Sequence, residues 1–289
     1  MYTLLLFSLR SFVLFFRTRI NCLIVYSIRR YTLTLKKKKK NMWYRQQRFL
    51  LRFLCSFCLL FILRNFIDNY YRYDIIKQAL EQMPNCSSTD RRRQRILLDL
   101  LQSWSHFAEQ YNIQYCLTYG SLVGYVQRHG LLPHDADLDI LIPNEQMPKL
   151  MTISQTNFSS IYELKVQPQW FIVDYRKRSY FRNQTINFIV PNARYRRKIN
   201  RYHIDLFPIY DFSSSESNQS QNKNLTIHNR YSKQLSVPQT WIYPIEICYF
   251  SGIKTRCPAN AKKLVSTLYG VSALIKSDKK CKNGTWIRA

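Results

Sequence analysis

The chain has 289 residues, 46% of them apolar and 15% aromatic, which excludes a disordered chain and suits one packed domain with an anchor and a stem. Its formal charge of +27 first suggests nucleic acid. No zinc-finger spacing, RNP-type aromatic motif or regular basic helix accompanies that charge, so no nucleic-acid partner is expected.

Residues 1–64 hold 14 Lys and Arg and no acidic residue, the pattern of a positive-inside flank. Residues 1–48 read as a basic cytosolic segment. It contains a second apolar stretch, Leu4–Phe16, and Met42 is an alternative start. Residues 49–67 read as a signal-anchor transmembrane helix. Its apolar core, Phe49–Leu63, is short of the roughly 20 residues that span a bilayer, which suits the thin membranes of the ER or Golgi. Arg52 near its start can snorkel to the headgroups. With Lys36–Lys40, Arg45 and Arg48 upstream, the expected topology is single-pass type II with a lumenal C-terminus. A cleaved signal peptide is the alternative; the long basic lead and the lack of a small-residue cleavage site count against it. Six N-x-S/T sequons, at Asn85, Asn157, Asn183, Asn218, Asn224 and Asn283, all follow the anchor and agree with a lumenal location.

Residues 68–90 read as a stem and 91–289 as the lumenal domain. Thr89 or Asp90 is placed to cap a helix over Arg91–Gln110, where Ile96, Leu97, Leu100, Leu101, Trp104 and Phe107 recur at helical spacing. Ile113–Tyr119 reads as a buried strand, Leu122–Gln127 as a short helix, Leu138–Ile142 as a strand and Tyr202–Tyr210 as another. The Ser-, Asn- and Gln-rich stretch 213–233 reads as an exposed loop. The irregular alternation predicts an α/β or α+β domain with a mixed sheet. Five cysteines follow the anchor; two bridges and one free thiol fit them, and Cys116 in its apolar run reads as a small core residue. Their spacing offers no structural zinc site. The arginine clusters Arg91–Arg93 with Arg95, and Arg194–Arg201, read either as solvated faces or as holders of phosphorylated groups.

The chemistry concentrates in YGSLVGYVQRHGLLPHDADLDILIP, Tyr119–Pro143. Asp135, Asp137 and Asp139 are spaced by two. On a strand, Asp137 and Asp139 project from one face while Leu138 points into the core. Adjacent carboxylates on a half-buried face repel and call for a cation, and Mg²⁺ (or Mn²⁺) takes such oxygen ligands together with substrate phosphates. Gly120 and Ser121, between a strand and a helix, offer a close backbone approach, amides and a hydroxyl to a phosphate. Set beside a metal, this is a phosphoryl-transfer arrangement.

The stretch resembles the LicD, fukutin and fukutin-related protein family, whose motif runs approximately G[ST]LLG, an Arg, then IPWDxDxD. Gly120, Ser121, Leu122, Gly124, Pro133, Asp135, Asp137 and Asp139 fall on matching positions. HIDLFPIY at His203–Tyr210 and FSGIKTRCPANAKKLVSTLYG at Phe250–Gly270 are similar to two later family segments. The resemblance implies a nucleotidyltransferase-type fold and metal-dependent transfer of a phosphorylated alcohol, such as ribitol phosphate or phosphocholine, from a CDP-activated donor to a glycan. It implies Asp137, Asp139 and Asp205 as catalytic residues and Asp135, Asp137 and Asp139 around the metal. Gly120, Ser121 and Arg128 are the implied nucleotide and phosphate contacts. Three positions depart from the family: Gln127 with Arg128 one place late, His134 in place of Trp, and Ala136. They leave open a non-catalytic accessory protein. A template-independent nucleotidyltransferase shares the same Gly-Ser and DxD logic and would need a cytosolic or nuclear domain.

Overall fold

The computed structural model describes residues 40–179, 186–199, 202–212, 223–228, 233–277 and 279–289. Leu4–Phe16 and the sequons at Asn183 and Asn218 lie outside the described residues. Contacts divide the chain into Met1–Asp68 and Asn69–Ala289.

The first helix, α1, runs over Lys40–Gln82. Residues 68–82, expected as stem, are therefore helical. Among the described residues no helix is long and apolar enough to cross a membrane, so the expected transmembrane helix over 49–67 is not found. Arg48, Arg52 and Arg64 bracket and interrupt its apolar run, and fifteen residues of helix reach only about 22 Å against the roughly 30 Å of a bilayer core.

Helix α2, Asp90–Gln110, follows. The apolar residues expected on one face (Ile96, Leu97, Leu100, Leu101, Trp104 and Phe107) are all buried, as 3.6-residue periodicity requires. Thr89 makes no side-chain cap. The Asp90 carboxylate instead accepts from the backbone N–H groups of Cys86 and Ser87, closing the turn before the helix. The chain then forms β1 (Cys116–Leu117), α3 (Tyr119–Arg128), β2 (Leu138–Pro143), α4 (Met147–Ser154), β3 (Tyr162–Val166), β4 (Ala193–Arg197) and β5 (His203–Ile209).

These strands make one mixed sheet in the order β1-β2-β5-β4-β3, in which only β2 and β5 pair in parallel. The mixed α/β architecture agrees with expectation. Strand β1 is shorter than the expected Ile113–Tyr119, because Tyr119 already opens α3. Leu138, Ile140, Leu141 and Ile142 of β2 and Ile204 and Leu206 of β5 are buried, the near-continuous apolar character of strands covered on both faces. An aromatic cluster fills the space under α2: Trp104 lies 5.4 Å from both Phe107 and Tyr195, and 5.6 Å from Tyr115.

The polar stretch expected as loop contains a strand, β6 (Asn224–His228), paired with β7 (Gln234–Pro238). Its Leu225, Ile227 and His228 are buried, so local composition yields here to packing. After α5 (Gln239–Ile242) come the hairpin β8 (Glu246–Phe250) and β9 (Ile253–Cys257), α6 (Ala261–Tyr269), and the hairpin β10 (Lys279–Lys282) and β11 (Thr285–Arg288). Disulfides join Cys86 to Cys281 and Cys248 to Cys257. Cys116 is free and buried, and burial pushes its thiol up to about 12.

Candidate active site

The site forms where β1 turns into α3 over the N-terminal ends of the parallel pair β2 and β5. Tyr119 makes this turn with φ 41°, in the left-handed region that a bulky side chain rarely adopts. It is held there by surrounding contacts. Its hydroxyl donates to the His228 carbonyl, and its ring meets Phe207 edge-on at 4.7 Å.

Gly120 follows. A Cβ built on it would sit 3.4 Å from Oδ2 of both Asp135 and Asp139, in van der Waals contact with the two carboxylates that lie over this backbone. The Gly120 N–H donates to Asp139 Oδ2 at 3.2 Å. The buried Ser121 hydroxyl accepts from the Asp139 backbone N–H at 2.8 Å. In this arrangement both residues hold the DxD strand, and their bonds to Asp139 fix α3 against β2.

Asp139 stands opposite Asp205 in the parallel register, and Arg194 of β4 stands opposite Asp205 on its other side. Arg194 Nε donates to Asp205 Oδ1 at 2.8 Å and Nη2 approaches Oδ2 at 3.5 Å; its guanidinium also covers the Phe188 ring at 4.6 Å. His203 Nε2 lies 3.1 Å from Asp205 Oδ1. Potential ligand atoms of Asp137, His203 and Asp205 all lie within 4.8 Å of one another. Burial and the charges of Asp137, Asp205 and Asp135 hold the Asp139 carboxyl well above the ordinary range, against one opposing backbone donor, Gly120. Burial and Asp205 likewise raise Asp137, opposed by His203 and Arg194.

That excess of buried negative charge is the test of the implied metal, and the residues fit one. Carboxylates that raise one another's pKa are stabilised by a divalent cation, and the Asp-His-Asp set supplies mainly oxygen donors. His203 is the site residue that sequence reasoning passed over. Its signal was the H-x-D spacing, which places His203 and Asp205 on one face of a strand.

Asp135 lies beside Gly120 and Asp139 and outside the Asp137-His203-Asp205 group. His134 is buried, with Nε2 3.8 Å from Asp135 Oδ1, while Ala136 is exposed. Gln127 turns away from the site: its amide donates to the carbonyls of Ala273 and Lys276 at 2.8 and 2.9 Å. Arg128, half-buried at the end of α3, has no hydrogen bond or ion pair among the described residues. Burial lowers its guanidinium pKa. The arginine clusters are largely structural. Arg93 pairs with Asp90 and donates to the Pro133 carbonyl, and Arg196 pairs with Glu163.

Behind Tyr119 lies a buried polar network. Arg178 donates to the carbonyls of Ile172, Ile189 and Trp170 and to Asn192 Oδ1. The Tyr175 hydroxyl lies 3.0 Å from His228 Nδ1, and burial lowers the His228 pKa to about 4, helped by Arg178. The network fixes the carbonyl that holds Tyr119, and through it the turn at Gly120.

No curated protein matches the chain. The family model for the LicD/FKTN/FKRP nucleotidyltransferase domain matches residues 112–260, just over half of the sequence and the whole of the carboxylate site. The chain belongs to the LicD/FKTN/FKRP nucleotidyltransferase-domain family.

Proposed function

We propose that the chain is a metal-dependent transferase that moves a phosphorylated alcohol, of the ribitol phosphate or phosphocholine kind, from a CDP-activated donor to a glycan. The observation that carries this reading is the convergence of Asp137, Asp139 and Asp205 on one sheet face under a Gly-Ser turn, in a chain of this family. Asp137 and Asp205, with His203, would hold Mg²⁺ or Mn²⁺, which when bound neutralises phosphate charge and stabilises the charge that develops in phosphoryl transfer.

The chain's own residues supply positioning. Asp139 is locked by Gly120 and Ser121 and sets the charge of the floor. Arg194 fixes the Asp205 carboxylate through Nε, leaving Oδ2 as the less engaged oxygen to receive the acceptor hydroxyl proton. Arg128, with no partner of its own among the described residues, is the proposed donor-phosphate contact.

The same reading places residues after about 68 in the lumen of the ER or Golgi. Two disulfides fit an oxidising compartment. The four described sequons, at Asn85, Asn157, Asn224 and Asn283, are all exposed. The apolar run of α1, with Phe49, Phe53, Phe57 and Phe61 exposed, is the proposed membrane attachment.

The deciding experiment incubates the purified chain with a panel of CDP-alcohols and Mg²⁺ or Mn²⁺ and measures CMP release. Metal-dependent release with one donor is expected. Binding of CDP-ligands without release from any of them would favour an accessory protein.

A further inference from the structure

Away from the carboxylates, a cleft of about 460 Å³ opens between the end of α2, residues 112–115 and strand β9, a size common to ligand sites. Its floor is a row of hydroxyls from three parts of the chain: Ser105 Oγ and Thr255 Oγ1 lie 3.0 and 3.1 Å from Tyr115 Oη. Tyr115 and Thr255 are buried. Three hydroxyls bring three donor hydrogens to two bonds, so one O–H is left for another acceptor. Lys254 and Arg256 stand exposed on the wall, and neither has an ion pair among the described residues. Burial raises the Tyr115 pKa, opposed by its two hydroxyl partners and by the charge of Arg256, which therefore reaches the floor. Glu109 is the one acidic side chain on the lining, which leaves a positive charge in excess.

The wall also offers main-chain groups. Strand β9 pairs with β8, and its other edge is open among the described residues. Ser251 and Gly252 at the hairpin tip have φ of 51° and 78°. Positive φ at both positions marks a two-residue turn whose flanking residues exchange both main-chain bonds. Phe250 and Ile253 are that pair, and Cys248 with Thr255 is the next of the same kind. Lys254 and Arg256 fall at the alternate positions, so their N–H and C=O groups point away from β8. The hairpin that carries this edge is well fixed. The Cys248–Cys257 disulfide cross-links it, and at its tip Ser251 Oγ accepts from the Leu131 N–H while the Ser251 N–H donates to the His129 carbonyl. Lys254 and Arg256 share the outer face with the exposed Ile247 and Tyr249, and Thr255 faces inward to Tyr115. A strand laid on the edge would meet cations at every second position and the hydroxyl floor at the positions between.

We propose that the open edge of β9 receives an extended acidic segment of a partner protein, which pairs with the main chain of Lys254 and Arg256 and carries carboxylates at alternate positions. In strand addition, main-chain bonds supply affinity and alternate side chains supply specificity. The cations of the cleft select an acidic occupant, and a second copy of this chain, with its formal charge of +27, is repelled. A small free anion would leave the strand edge unpaired. This docking is independent of the transferase reading, because none of its residues belongs to the carboxylate site.

The test uses the full chain in detergent and a fluorescein-labelled peptide of alternating Glu and Thr, with binding read by fluorescence anisotropy. Lys254→Gln with Arg256→Gln is expected to weaken binding about tenfold or more. Lys280→Gln with Lys282→Gln removes the same charge outside the cleft and is expected to change it less than about threefold. A peptide with Gln in place of Glu is expected to bind about tenfold more weakly. Two further peptides are N-methylated, one at the Glu amides and one at the Thr amides. Strand pairing is expected to be lost with one set and kept with the other, because alternate amides face β9. Equal losses from both lysine and arginine pairs, no loss from either, equal binding of the Gln peptide, or like behaviour of the two methylated peptides would each overturn the proposal. So would glutarate competing as well as the peptide, or tighter binding of single-stranded RNA. Thermal melts check folding; if the Lys254/Arg256 pair melts early, Lys254→Gln alone carries the comparison.

Discussion

Asp137 raises the pKa of Asp139, and Asp205 raises that of both, so replacing Asp137 relieves repulsion in the metal-free chain while removing part of the proposed cation site. Asp137→Asn is expected to lower CMP release about 1000-fold or more and to leave metal-free urea stability unchanged or higher. A large drop in stability would make the carboxylate structural. Gln127 and Arg128 separate by the same logic. Gln127 makes two hydrogen bonds to backbone carbonyls, and Gln127→Ala should cost about 1–2 kcal/mol of stability. Arg128→Ala should leave stability within about 0.5 kcal/mol and weaken CDP-alcohol binding; equal donor binding in the two variants counts against Arg128. His228 supplies a pH signature. Its folded pKa of about 4 lies below the ordinary 6.5, so between these values the unfolded chain binds a proton that the folded chain does not. Its contribution is full above pH 6.5 and is lost as pH falls toward 4. The stability of wild type minus that of His228→Asn should therefore fall across this window. Asp90, lowered to about 2, acts only below the ordinary carboxylate range and does not overlap it. A difference that stays flat from pH 7 to 4 would show that His228 titrates normally.

At the scale of elements, the Cys86–Cys281 bridge closes a loop of 195 residues and ties the last hairpin to the turn before α2. Bridging so distant positions chiefly restricts the unfolded chain. Replacing both cysteines by serine should cost about 2–5 kcal/mol in chemical denaturation. The loss should be accompanied by greater exposure of Trp286, read by its fluorescence. Unchanged stability would mean that the hairpin is held by Trp286 and Asp90 alone. Strand β6 makes the complementary point. It pairs in the middle of a polar stretch because Leu225 and Ile227 find a core that lies far from them in sequence.

For the whole molecule, the proposed placement of its two termini rests on charge, and the proposed compartment on cysteine and sequon chemistry. Protein made in eukaryotic cells should gain gel mobility on glycosidase treatment, and its C-terminal part should resist protease in intact microsomes. Unchanged mobility together with protease sensitivity would place the domain in the cytosol. The basic excess would then need another explanation, nucleic acid first.

The paired carboxylates and the Gly-Ser turn of the candidate site were legible in the sequence because their spacing is local, whereas His203 was not. Two-residue spacing puts Asp137 and Asp139 on one face, a Gly-Ser pair marks the turn, and period-3.6 apolar residues mark α2. Only the tertiary structure decided how these parts are used. Parallel pairing brings Asp205 beside Asp139, and the antiparallel neighbour β4 brings Arg194 onto Asp205 from the other side; neither register is encoded in either strand alone. The same assembly turned Gly120 and Ser121 onto Asp139, sent Gln127 to the C-terminal segment, and chose Cys86 and Cys281 as partners across most of the chain. Such choices depend on distances between segments remote in sequence, and local propensity carries no information about them.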